Sequence, residues 1–187
     1  MRQITACFLL ILCSHAQADQ AERLKEADFT TQWHANHGVL ERKSEAVMTY
    51  LWTDVYAAAF FTEPSISPAR AVAEQREQRL ELYYFRDISR ADVINATNTT
   101  LRRQQDSATL KRLQPQIEQL HATLHNIRQG DRYALDFLPG QGISLECNGK
   151  VMFSSPDPEF ARAYLAIWLA PNGLSDSLRS TLLSQIP

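Results

Sequence analysis

From Gly130 to Phe153 the chain reads as three short strands joined by two turns, and no other segment limits the fold as strongly. The strands are Tyr133–Leu138, Ile143–Cys147 and Lys150–Phe153. Pro139-Gly140-Gln141-Gly142 separates the first two, and Asn148-Gly149 separates the last two. Asn-Gly readily adopts the paired positive φ angles of a type I′ turn, so it marks an antiparallel hairpin. In Ile143-Ser144-Leu145-Glu146-Cys147 the alternation puts Ile143, Leu145 and Cys147 on one face, where Cys147 reads as a buried, inert thiol. The fold must therefore contain an antiparallel sheet, and something must cover its apolar side.

Upstream, Val47–Phe61 is rich in β-branched and aromatic residues and predicts one long strand ended by Glu63-Pro64. Trp33–Arg42 is a weaker strand candidate that would complete a long hairpin with it. Gln78–Arg86 alternates Leu80, Leu82 and Tyr84 against Arg79, Glu81 and Tyr83, which predicts a strand with one buried face. Ser67-Pro68 opens a short helix, and Ser89-Arg90-Ala91-Asp92 opens another. Ile117, Leu120, Leu124 and Ile127 have helical spacing within Leu113–Ile127, with Pro115 near the start and Gly130 as the stop. One closing helix begins at Asp157 or Pro158 and runs through Trp168, and Ser175 caps a second ending near Leu183. Strand runs and helix runs are segregated, which predicts an α+β fold with helices on one face of an antiparallel sheet.

The N-terminus reads as an export signal over residues 1–18. Arg2 gives a positive start, Ile4–Cys13 is apolar, and Ala16-Gln17-Ala18 forms a cleavage site after Ala18. That apolar run falls short of the about 20 residues a membrane helix needs, and no later segment is an anchor candidate. The expectation is export to the periplasm, with residues 19–187 as one domain. Two of the three cysteines lie in the leader, so Cys147 would have no disulfide partner within the chain. A net charge of −2 gives no reason to expect a nucleic-acid partner.

Motifs for chemistry are sparse. Glu118, His121 and His125 would form a stripe on the predicted helix, but two histidines leave a tetrahedral zinc site half empty, so no metal is expected. His34 and His37, three apart on a strand, would point to opposite faces. Gly140-Gln141-Gly142 lies between strands and is a turn, not a phosphate cradle. No G-x-S-x-G occurs. On the predicted long strand, Tyr50, Trp52, Asp54 and Tyr56 would share one face, with Leu51, Thr53, Val55 and Ala57 on the face toward the helices. The aromatic face reads either as a small satellite core or as the wall of a ligand cleft.

Residues 50–61 (YLWTDVYAAAFF), 84–89 (YFRDIS), 113–117 (LQPQI), 130–142 (GDRYALDFLPGQG), 148–150 (NGK) and 160–169 (FARAYLAIWL) resemble the bacterial chalcone isomerase-like proteins in content, order and spacing. The resemblance implies an open-faced antiparallel β-sandwich with a layer of helices on one face, and a ligand cleft between sheet and helices. In the family's enzymes an arginine near the start of the first long strand polarises the substrate carbonyl; the nearest arginine here is Arg42. Their threonine on the second long strand corresponds to Tyr56. The tyrosine opening their next helix corresponds to Ser89, and their asparagine to Ala96, with Asn95 adjacent.

Those departures point away from chalcone cyclisation. The leading expectation is a non-catalytic binder of a small apolar or amphipathic ligand such as a fatty acid, without a cofactor, through Arg42, Trp52 and Tyr56. An isomerase acting on an unknown enone, with Tyr56 or Arg42 as acid–base group, is the second reading. An interaction protein whose cleft is filled by its own side chains is the third. No catalytic residue is assigned.

Overall fold

Asn148 and Gly149 both take positive φ and close the hairpin between β6 (Gly142–Cys147) and β7 (Lys150–Ser155), as the Asn-Gly pair predicts. β5 (Arg132–Leu138) pairs with β6 to complete the predicted meander. Gly142 also has positive φ, and a Cβ there would collide with the Ser155 carbonyl, so only glycine fits. The computed structural model describes residues 19–35 and 38–184. The predicted export signal, residues 1–18, lies outside them, as do Asn36 and His37.

The predicted long strand Val47–Phe61 is two strands. β2 (Gly38–Tyr50) and β3 (Thr53–Thr62) meet at a two-residue turn, with Tyr50 paired to Thr53. Leu51 and Trp52 form the turn with φ of 45° and 66°. A bulky residue in that left-handed region costs about 1–2 kcal/mol, and Leu-Trp is not a turn signature. Strand propensity therefore runs unbroken through the reversal, and the expectation of one shared face for Tyr50, Trp52, Asp54 and Tyr56 fails there. The weaker candidate Trp33–Arg42 divides into β1 (Gln32–Ala35) and the start of β2. With β4 (Gln78–Tyr84), the sheet has seven strands, all antiparallel, in the order β1-β2-β3-β4-β5-β6-β7.

Helices fill the connections. α1 covers residues 19–27, and α2 (Pro68–Glu74) starts on the predicted Ser67-Pro68. Ser89 caps α3 (Arg90–Gln104) by accepting from the Asp92 amide, and its hydroxyl lies 2.7 Å from the Asp92 carboxylate. α4 (Ser107–Thr123) starts six residues before the predicted Leu113, on an Asp106 cap, so Pro115 sits inside it. Proline there removes the hydrogen bond to the Lys111 carbonyl, on an exposed side open to solvent. The helix ends before Leu124 and Ile127. Arg90 caps its last turn by donating to the carbonyls of Leu124 and His121 at 2.9 and 2.8 Å, and Ile127 instead bridges Ile88. α5 (Pro158–Leu169) and α6 (Asp176–Leu183) are capped by Asp157 and Ser175, as the sequence predicts.

The result is α+β: a curled antiparallel sheet with helices layered on it. The larger core lies between sheet and helices. Tyr56, Ala58 and Phe60 of β3 face it, with Leu80, Leu82 and Tyr84 of β4 and Leu113, Ile117 and Leu120 of α4. Full burial of each large apolar side chain contributes about 1.5–3 kcal/mol. Ala57, Ala59 and Phe61 face a smaller core with Ala27, Phe29 and Phe85. Val55 packs against the helix-side core as predicted, but a register irregularity there sets Tyr56 on that side as well and turns Ala57 away, so from Tyr56 onward the predicted faces of β3 are exchanged. β4 is buried on both faces, where one was predicted. Arg79 pairs there with Glu81, Asp136 and Glu146 at 3.2, 2.6 and 3.2 Å beneath the Trp33 ring. Charges at Arg79 and Glu81 conceal that burial from a hydrophobicity pattern. No helix among the described residues is long and apolar enough to cross a membrane.

Candidate functional site

The register of three neighbouring strands sets Tyr56, Tyr84 and Tyr133 in a row on the helix side of the sheet. Tyr56 is directly opposite Tyr84, and Tyr133 is opposite Leu82. Their ring centroids are 5.3 and 5.8 Å apart, a tilted and then an edge-on contact. α5 faces this row with Tyr164 and Trp168, four residues and one turn apart, at 6.2 Å. Trp168 Nε1 donates to Tyr56 Oη at 3.2 Å and ties helix to sheet.

Between the two layers lies a cavity of about 540 Å³. Its wall is mostly apolar: Leu80, Leu82, Leu135 and Leu145 from the sheet, with Val93, Ala96 and Leu174 from the helical side. Volume and lining both match small-molecule sites, which run from about 300 to 1,000 Å³ with few polar groups. The tyrosine hydroxyls, Thr97, Asp92 and His125 supply the polarity. Asp92, Ala96 and His125 are exposed, so the opening lies at the start of α3 beside the chain after α4.

Burial holds the hydroxyls of Tyr56, Tyr84, Tyr133 and Tyr164 well above the usual tyrosine range, so all four stay protonated at neutral pH. Tyr164 also bonds Thr97, and Tyr133 bonds Cys147. Burial likewise pushes the Cys147 thiol up. Cys147 is half-buried against this core, more open than its predicted place. The tyrosines therefore offer neutral hydrogen-bonding groups set in an apolar wall, with the Asp92 carboxylate at the opening.

Of the three residues singled out in the sequence, Tyr56 lines the cavity. Trp52 sits in the β2–β3 turn, 99% exposed and outside the lining. Arg42 lies on the opposite face of the sheet, across from Phe61, donating to the Phe29 carbonyl at 2.7 Å and pairing with Glu45 at 2.9 Å. A bulge at Lys43 causes this. Ser44, two residues on, faces the helices and donates to the Leu182 carbonyl, whereas Arg42 faces away. Tyr56 and Arg42 are thus separated by the sheet.

Ala96 lines the cavity, but neither Ser89 nor Asn95 does. The aromatic wall formed by Tyr84, Tyr133, Tyr164 and Trp168 was not singled out in the sequence. Its signal was present in the inward alternation of β4 and in the Tyr164–Trp168 helical spacing. The predicted histidine stripe does not form, because His125 lies beyond the end of α4. Among the described residues no group of three or more His, Cys, Asp or Glu is placed to hold a metal ion.

The family profile described as chalcone isomerase-like matches residues 21–184. Among solved structures 38 chains match. One is a fatty-acid binding protein from Arabidopsis thaliana, 12% identical, aligned over 83% of this chain and 90% of that one with a TM-score of 0.61. At that identity the likeness concerns the fold. Among curated proteins none matches.

Proposed function

The chain belongs to the chalcone isomerase-like family, and from that premise we propose that it is a non-catalytic binder of a small apolar or amphipathic ligand, with fatty acids the first class to test. The observation that carries this reading is the apolar, tyrosine-walled cavity between sheet and helices. An aliphatic chain in such a cavity is removed from water at roughly 25 cal/mol per Å² of apolar area, while the neutral hydroxyls bond a polar end. The fatty-acid binding protein of similar fold supports the ligand class. The place of Arg42 across the sheet supports binding over catalysis, since a group that polarises a carbonyl must reach the substrate in the cavity. The same reading takes residues 1–18 as an export signal and the periplasm as the site of action.

The experiment is native mass spectrometry of protein purified without detergent, followed by displacement of a fluorescent fatty-acid probe by palmitic acid. An added mass that is lost on denaturation, together with saturable displacement, is the expected result. A clean unliganded mass with no probe binding would overturn the proposal.

A further inference from the structure

Among the described residues four large apolar side chains are notably exposed, and three are consecutive: Tyr50 at 63%, Leu51 at 74% and Trp52 at 99%. They form the tip of the β2–β3 hairpin. Leu51 and Trp52 occupy its two left-handed positions, where Asn-Gly would sit without strain. Neither packing nor turn geometry accounts for Leu-Trp at this place. Below the tip, Asp54 accepts from Thr49 Oγ1 at 2.7 Å and from Arg23 Nε at 3.3 Å, so the neck is fixed by side chains while the tip itself stays open.

We propose that Tyr50-Leu51-Trp52 is a docking element for a lipid bilayer surface. Size argues for a lipid partner: a stable protein interface takes about 800 Å² from each side and some 20–30 residues, which three side chains at a turn do not supply. Their chemistry agrees, because tyrosine and tryptophan favour the headgroup boundary and leucine the acyl region beneath it. Position agrees as well. Tyr50 belongs both to the tip and to the cavity wall, together with Met48 and Val55 from the same two strands. A tip seated in a bilayer would hold the cavity close to the membrane surface, where an apolar ligand can transfer with little exposure to water. That transfer role rests on the ligand-binding reading, but the docking does not.

The test uses sedimentation with phosphatidylcholine vesicles, whose zero net charge removes electrostatic attraction. The unaltered protein is compared with the double variant Leu51→Asn/Trp52→Gly, which suits the turn and leaves Tyr50 in the cavity wall. The unaltered protein is expected to co-sediment and its tryptophan emission to shift to the blue. The variant is expected to partition at least tenfold more weakly, with an unfolding midpoint equal or higher. Equal sedimentation of the two proteins, or none by the unaltered one, overturns the proposal. So does vesicle-free dimerisation that the variant abolishes, since the tip would then meet a second copy. Palmitic acid displacement in vesicle-free buffer separates the two readings: docking without displacement leaves the tip assignment standing and removes the ligand.

Discussion

Trp168 Nε1 donates to Tyr56 Oη at 3.2 Å, and this bond joins β3 to α5 at the cavity wall. Tyr56 is 5% exposed and Trp168 9%, so neither group has ready access to water as a substitute. Tyr56→Phe should leave the indole N–H unsatisfied at a cost of about 1–3 kcal/mol. For a chain of this size that lowers the thermal midpoint by about 2–4 °C per kcal/mol. Urea unfolding of Tyr56→Phe, Trp168→Phe and the double variant checks it. Strictly additive losses would show that the two residues are not coupled.

Ala96 is exposed on α3 at the cavity opening, so a larger side chain there meets the ligand path before it meets the core. Ala96→Trp is expected to weaken palmitic acid binding at least tenfold while stability changes by about 0.5 kcal/mol or less. Probe displacement and urea unfolding on the same preparation read both quantities. Unchanged affinity would place the ligand elsewhere.

Arg42→Ala is the contrasting case. Its guanidinium bonds Phe29 and Glu45 across the sheet from the cavity, so palmitic acid affinity should be unchanged. Stability should fall by roughly 1 kcal/mol through loss of the bond to the Phe29 carbonyl. A tenfold loss of affinity would contradict this placement.

What the sequence disclosed followed from local chemistry. Asn148-Gly149, Ser89, Asp157 and Ser175 act through their own turns and caps, and each stands where their chemistry predicts. Errors arose where a local rule was overridden. Leu51-Trp52 turns the chain without turn residues, so two strands read as one. The bulge at Lys43 has no sequence signature, and it decides which face Arg42 occupies. Arg79 and Glu81 satisfy each other inside the fold, so a buried face looked solvated. Tyr56 is singled out by its aromatic neighbours and by resemblance, although alternation through the unrecognised turn sets it on the face away from the helices. Its partners have local signals but no sign of their meeting: Tyr84 and Tyr133 join it through strand register, and Tyr164 and Trp168 through the packing of α5 on the sheet.

Arg79 is 3% exposed and neutralises three carboxylates. Arg79→Ala should destabilise by about 3–5 kcal/mol, because Asp136 and Glu146 are left without their cation and Glu81 keeps only Arg132. Burial already holds the Asp136 carboxyl above its usual range despite Arg79. Without Arg79 the folded-state pKa of Asp136 rises further above its unfolded value. The folded variant then takes up protons more readily as pH falls, and its deficit against the parent should shrink toward acidic pH. Urea unfolding at neutral and mildly acidic pH measures this; a deficit independent of pH would show that lost packing against Trp33 dominates.

His121 provides the opposite sign. It is 7% exposed, its Nε2 has no hydrogen-bond partner, and burial first, then Arg90, holds its pKa below the usual histidine value. Glu118 opposes that shift only in part. The unfolded chain therefore binds the proton more tightly than the folded one. Stability is highest above the unfolded value of about 6.5, and it declines as pH falls from there toward the folded value. His121→Leu removes both the titration and the orphaned nitrogen from a site beside Leu120 and Leu124. The variant should match or exceed the parent near pH 7 and widen its advantage toward about pH 5. Thermal unfolding of both proteins across that interval measures the difference, and parallel pH profiles would assign the acid sensitivity to another group.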